Sequence, residues 1–299
     1  MPVPFSYVLN VVAAGRDAAE YAAEVRALAS NLTAVGAIDW LAPFHAFDIP
    51  FVGDAEKIVQ DVRKVLAGRT ADANVVPAQG RKKKLLVADM DSTIITCECL
   101  DEIADMVGLK PRIAAITERA MRGEIEFAAA LRERVKLLEG VDVAVLERVY
   151  RERVRLRTGA RQLLATMRAG GAQTILVSGG FTYFTSRVAR DAGFDEHRAN
   201  VLFDDGVALT GLVKEPVLGR EAKLAALEGG ASKLDIGFGQ TLAVGDGAND
   251  LDMIKHAGLG VAFRAKPVVA AAARARIDHG DLTALLYLQG YRENEIRPA

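Results

Sequence analysis

From Gly159 to Phe263 the chain alternates short apolar runs with stretches of helical spacing, and no other feature narrows the fold so far. Helix-patterned segments at Arg161 to Arg168, Thr182 to Ala192 and Arg220 to Leu227 are interleaved with the runs QTILV and QTLAV, and a helix from Asp250 precedes GVAF. Such runs carry no alternating polar face, so they belong inside a sheet covered on both sides. Strands separated by helices are parallel, which predicts an α/β sheet. LLVA, at Leu85 to Ala88, has the same character, and two short strands are expected around NVLFDDGVALTGLV.

Between Leu100 and about Arg157 the pattern changes to Glu, Arg, Ala and Leu with no strand, which predicts a helical insertion after the first core strand. Residues 1–78 have their own rhythm. An extended run at Phe5 to Val12, a helix around Asp17 to Ser30, strands near Ile38 to Leu41 and Phe44 to Ile49, a helix over Asp54 to Gly68 and the strand ANVVPA follow in turn. That β-α-β-β-α-β order predicts an α+β ferredoxin-like domain, similar in layout to the amino-acid-sensing ACT domains. QGRKKK, residues 79–84, is taken as the linker to a second domain over 85–299, and its basic run as a solvated face.

A net charge of -1 gives no electrostatic reason to expect nucleic acid or a membrane as partner, so a small molecule is expected. Cys97 and Cys99, the two cysteines of the chain, are too close to close an unstrained disulfide or to complete a zinc site, which suggests packing residues in a reducing compartment. The opening MPVPFSYVLNVVAAG lacks the positive n-region of a signal peptide, and no apolar run is long enough to span a bilayer, so a cytoplasmic protein is expected.

In a parallel sheet, ligands bind beyond the carboxyl ends of the strands. Asp89 and Asp91 follow LLVA, Ser178, Gly179 and Gly180 follow TILV, and Gly245, Asp246, Gly247, Asn249 and Asp250 follow TLAV. Asp89 or SGG alone is ordinary turn chemistry, whereas GDGAND crowds acids and amides into one turn between glycines that permit close backbone approach. Together they suit phosphoryl transfer. Asp89 and Asp246 are hard oxygen ligands for Mg²⁺, and the two-residue offset puts Asp89 and Asp91 on one side of the chain. One carboxylate can attack while the other moves protons. The Ser178 hydroxyl, the glycine amides and Lys223 can hold phosphate oxygens.

The ordered segments DMDST, SGG, the lysine of GREAKLAAL and GDGANDLDM resemble the four motifs of the haloacid dehalogenase-like phosphatases, and within that superfamily they are most similar to the phosphoserine phosphatase family. The resemblance spans roughly residues 85 to 290. It implies a Rossmann-like core sheet with an inserted helical cap at about 100–157, a Mg²⁺ cofactor and an aspartyl-phosphate intermediate. By position it implies Asp89 as nucleophile and metal ligand, and Asp91 as general acid/base that lends its backbone carbonyl to the metal. Asp246 completes the protein's ligands, Ser178, Gly179, Gly180 and Lys223 bind the phosphoryl group, and Asn249 and Asp250 support substrate and metal. Phosphoserine is zwitterionic at its amino-acid end, and Glu98 and Arg134 match the family positions that take its ammonium and carboxylate. Met121 and Phe127 match the apolar cap wall.

The expected activity is therefore Mg²⁺-dependent hydrolysis of O-phosphoserine, the last step of serine synthesis. Phosphotransfer, hydrolysis of another small phosphomonoester, and a non-enzymatic amino-acid-sensing or phosphoacceptor protein are the alternatives. An amino-acid effector on the N-terminal unit and a homodimer are also expected.

Overall fold

The computed structural model of the protein describes residues 5–299, apart from the side chain of Met121. The N-terminal unit runs β1 (Tyr7–Ala13), α1 (Ala19–Leu32), β2 (Asp39–Ala42), β3 (Ala46–Phe51), α2 (Ala55–Val65) and β4 (Ala71–Pro77). The core then opens with β5 (Leu85–Ala88), followed by four cap helices, α3 (Cys99–Met106), α4 (Lys110–Met121), α5 (Phe127–Lys136) and α6 (Ala144–Glu152). Next come α7 (Ala160–Ala169), β6 (Gln173–Phe181), α8 (Thr182–Ala192), β7 (Glu196–Asn200), β8 (Leu202–Asp204), β9 (Leu209–Val213) and α9 (Arg220–Lys233). The chain closes with β10 (Thr241–Gly245), α10 (Leu251–His256), β11 (Leu259–Phe263), α11 (Pro267–Ala272), β12 (Ala275–Ile277) and α12 (Ala284–Leu288).

The core is a six-stranded sheet of order β12-β11-β10-β5-β6-β7, parallel at every pairing. All four residues of β5 are fully buried. Leu86 and Ala88 enter one hydrophobic cluster and Leu85 and Val87 another, as alternation through a doubly covered sheet requires. Because β10 and β6 flank β5, the three polar strand ends lie side by side.

β6 continues past TILV through Ser178–Gly180 to Phe181, with its register against β7 broken between Val177 and Phe181. β7 and β12 were not legible as strands. EHRAN and ARI sit at the two sheet edges, where an apolar face on both sides is not needed. The chain enters and leaves the cap through adjacent segments, with Thr96 N–H donating to Arg155 O at 3.0 Å and Arg157 N–H to Ile94 O at 2.9 Å. The β8–β9 hairpin extends the cap: Leu209 and Val141 join through a 2.8 Å backbone bond. Gly211 allows that docking, since a Cβ there would lie 2.9 Å from the Glu139 Cβ.

The N-terminal sheet has order β2-β3-β1-β4 and is antiparallel in each pairing. Asp54 caps α2, accepting from the Glu56 and Lys57 amides at 3.0 Å each. Leu9, Val11 and Ala13 pack on Tyr21, Val25, Ile58 and Val62, whereas Val8 and Val12 join the cluster that holds Leu285 to Leu288. The second face of this sheet is thus docked on the core. Beside it, Asn74 exchanges two hydrogen bonds with the Arg276 backbone, at 2.9 and 2.8 Å. Asp72 accepts the amides of Asp278 and Gly280 at 2.7 and 2.8 Å.

The basic run does not form a solvated face throughout. Arg81 is mostly buried, pairs with Asp48 at 2.5 Å and donates to the Tyr287 and Leu288 carbonyls. The run bends over the junction between the N-terminal sheet and the end of the chain, where a buried carboxylate needs a cation. Among the described residues, no helix is long and apolar enough to cross a membrane.

Candidate active site

The carboxyl ends of β10, β5 and β6 and the underside of the cap enclose a cleft of about 430 Å³. Asp89, at the end of β5, is anchored by its amide to Val244 O of β10 at 3.0 Å. The chain then turns sharply: Ser92 adopts φ 58°, a left-handed conformation disfavoured for a non-glycine residue. Arg157 holds that turn by donating twice to Ser92 O, at 3.0 and 2.9 Å.

Asp91 accepts the Cys99 amide and the Ser178 hydroxyl, each at 2.9 Å, and the Gly180 amide donates to Ser178 Oγ at 2.8 Å. Burial raises the Asp91 pKa, although both donors pull it down. A carboxyl disposed to keep its proton suits an acid. Gly180 is required by close approach, because a Cβ would stand 3.0 Å from Ser178 Oγ and 3.2 Å from Asp91 Oδ2.

Below the cleft floor, Lys223 is almost completely buried and its ammonium donates to Asp89 and Asp250, at 2.6 Å each. Burial opposes its charge, but the two carboxylates outweigh burial and keep it protonated. Burial, then Asp250, drives the Asp89 pKa well above the usual carboxylate range despite Lys223. Asp246, fixed by the Thr93 hydroxyl at 2.9 Å, is also raised by burial. One oxygen from each of Asp89, Asp246 and Asp250 falls within a 4.8 Å group. Asp250 spends its other oxygen on the Asp246 and Gly247 amides, at 3.1 and 2.9 Å. The Asp91 carboxylate is outside this group.

The cap supplies the opposite wall. Glu98 accepts the Ser92 hydroxyl at 2.6 Å at the cleft mouth, where part of its surface meets solvent. Crowding by protein atoms, then the Asp91 charge, push its pKa up to about 7, and the solvent it meets tempers that rise. Arg134 on α5 lines the same cleft, half-buried, bonded to Ala130 O at 3.3 Å and Thr117 Oγ1 at 3.4 Å. No carboxylate of the described residues forms an ion pair with it. Phe127 reaches across to the core, its ring tip 3.1 Å from where a Gly179 Cβ would stand. Asn249 lines the rim and is exposed. Met121 ends α4, and its side chain lies outside the described residues.

Thr93, Arg157, Asn200 and Lys266 also serve this site and were missed from the sequence. Asn200 ties Gly179 O to the loop before α9, at 2.9 Å to Gly179 and 3.2 Å to Leu218. The Lys266 amide donates to Asp246 O at 3.1 Å. Thr93 sits inside DMDST and carried a signal; the others are long-range partners with no local pattern.

The family model for haloacid dehalogenase-like hydrolases matches residues 86–255. A phosphoserine phosphatase of Albidiferax ferrireducens is 49% identical over 211 residues, spanning 69% of this chain and 89% of that protein. A HAD family hydrolase of Salmonella enterica serovar Typhi superposes with a TM-score of 0.82 at 29% identity, covering 94% of this chain and 98% of the other. A phosphoserine phosphatase solved with substrate bound matches 69% of this chain and 98% of its own, with a TM-score of 0.64 and 37% identity. With its strand-end acids, buried lysine and helical cap, the chain belongs to the haloacid dehalogenase-like hydrolases, within the phosphoserine phosphatase family.

Proposed function

We infer that this protein hydrolyses O-phosphoserine to serine and phosphate, the last step of serine synthesis. The observation that carries this reading is one cleft holding the Asp89–Asp91–Ser178 centre and, on the cap side, the oppositely charged Glu98 and Arg134. An ammonium needs the first of that pair and a carboxylate the second. A neutral phosphomonoester would leave both charges unmatched.

Asp89 attacks phosphorus, the bond from phosphorus to the seryl oxygen breaks, and Asp91 gives its proton to that oxygen. Water then attacks the aspartyl-phosphate, its proton passes to Asp91, and Asp89 is released with phosphate. Ser178, Gly179 and Gly180 orient the phosphoryl oxygens, and the Lys223 ammonium offsets their charge through Asp89. The donor set fits Mg²⁺: Asp89 and Asp246 each keep one oxygen without a protein donor, in a group of buried and half-buried residues carrying more carboxylates than cations. Asp250, with both oxygens engaged, braces Lys223 and the 246–247 turn. Bound Mg²⁺ would neutralise the phosphoryl group and lower the pKa of Asp89, leaving it ionised for attack. Phosphate release from O-phosphoserine is expected with Mg²⁺, abolished by chelation, and absent in Asp89→Asn. Full turnover in the variant would contradict the assigned nucleophile.

The domain division at 79–84 and the ferredoxin-like, ACT-like assignment of the N-terminal unit are part of the proposal, supported by its sheet order. So are an amino-acid effector on that unit and a homodimer through it, which serine titration of turnover and sedimentation test. The free cysteines support a cytoplasmic setting.

A further inference from the structure

A second cleft, of about 370 Å³, lies where the N-terminal unit, the cap hinge and the end of β11 meet. Its walls carry Arg157 and Arg264, with His45, His279 and Asp281 around them. Both guanidinium carbons stand 5.7 Å from the centroid of the same ring, Phe263, so both cations lie beside one aromatic side chain. Neither has a carboxylate within ion-pair distance among the described residues. Their hydrogen bonds go to neutral carbonyls: Arg157 to Ser92, and Arg264 to His279 and Gly280 at 3.2 Å each. Asp281, the acid of the cleft, spends one oxygen on the Thr283 amide and hydroxyl at 2.8 and 2.5 Å.

Two guanidiniums without a carboxylate partner that line one cleft repel each other, and an anion between them removes that repulsion while accepting from N–H groups not spent on the carbonyls. Arg264 is further held at φ 46°, a left-handed conformation that persists where its surroundings fix it. The mutual charge also depresses the Arg157 pKa, after burial.

We propose that this junction binds one small anion, a carboxylate or a phosphate, between Arg157 and Arg264, and that its occupancy reaches the catalytic turn through Arg157. The route is short. Arg157 is the donor that fixes Ser92 O, one residue beyond Asp91, and it lies on the segment returning from the cap. An occupant that draws on the same guanidinium changes how firmly that turn is held.

Malonate and inorganic phosphate, titrated calorimetrically into the full chain, test the site. Ser178→Ala weakens the catalytic anion position, and Arg264→Gln removes one arm of the proposed one. Binding is expected to survive Ser178→Ala and to weaken at least about tenfold in Arg264→Gln, with partial recovery in Arg264→Lys. The tighter probe tells whether the natural ligand is a carboxylate or a phosphate. Binding lost in Ser178→Ala and kept in Arg264→Gln would put the anion in the catalytic cleft and overturn the proposal, as would no binding in the millimolar range. Malonate is further expected to change kcat/KM of the unmodified enzyme and not of Arg264→Gln. Malonate bound with turnover unchanged would refute the communication through Arg157.

Discussion

Glu98 shows how one side chain can tie substrate choice to pH. Crowding and the Asp91 charge push its pKa up toward about 7, tempered by its solvent contact, so it passes from neutral to anionic as pH rises toward that value. Only the anion attracts an ammonium, so kcat/KM for O-phosphoserine is expected to rise with pH between the usual carboxylate range and about 7, beyond the ionisation of the substrate itself. In Glu98→Gln that extra rise disappears and KM increases about tenfold, as removal of one charge-assisted contact predicts. Superimposable pH profiles would show that Glu98 does not meet the ammonium. At this scale the sequence was most informative. DMDST, SGG, the buried lysine and GDGAND are contiguous or end a strand, so their chemistry is legible locally. Asn200, 21 residues from the Gly179 it holds, and Arg157, 65 from Ser92, act through contacts that only folding creates.

At the scale of elements, rigidity of the strand ends matters most. Asp250 can brace Lys223 because β10 ends in Gly245, where a Cβ would fall on the Asp250 carboxyl. Gly245→Ala is expected to lower stability by about 1–3 kcal/mol, the usual range for overpacking. It should also reduce kcat, since Lys223 shares Asp89 with the reaction. Denaturant unfolding and phosphate release measure the two effects, and a variant unchanged in both would remove Asp250 from the account. The central strands were legible because each is buried on both faces, as LLVA shows. The edge strands β7 and β12 and the attachment of the β8–β9 hairpin to the cap were not. EHRAN has no apolar run to betray it, and the hairpin's place depends on the Val141–Leu209 pairing across a long stretch of chain.

At the scale of the whole molecule, the N-terminal unit is part of the folded body. Val8 and Val12 share a core with Leu285 to Leu288, and Arg81 neutralises Asp48 at the junction. Burial raises the Asp48 pKa even with Arg81 beside it, so loss of the guanidinium leaves a costly carboxylate. Arg81→Met is expected to lower stability by about 3 kcal/mol, the low end for breaking a buried pair, and Asp48→Asn in the same chain should recover part of it. Equal stability of Arg81→Met and the unmodified chain would mean that the junction does not depend on this pair. RKKK suggested a solvated segment because composition reports charge and not what lies opposite.

The claim that unites these scales is that a cleft built for phosphoryl transfer also reads a zwitterion. Its most direct test is kcat/KM with Mg²⁺ for O-phosphoserine against a neutral phosphomonoester of similar size, in the unmodified enzyme and in Arg134→Ala. One charge-assisted pair is worth about 1.5–3 kcal/mol, so Arg134→Ala should raise KM for O-phosphoserine roughly ten- to a hundredfold and leave the neutral ester unchanged. Equal kcat/KM for the two esters in the unmodified enzyme would contradict the account.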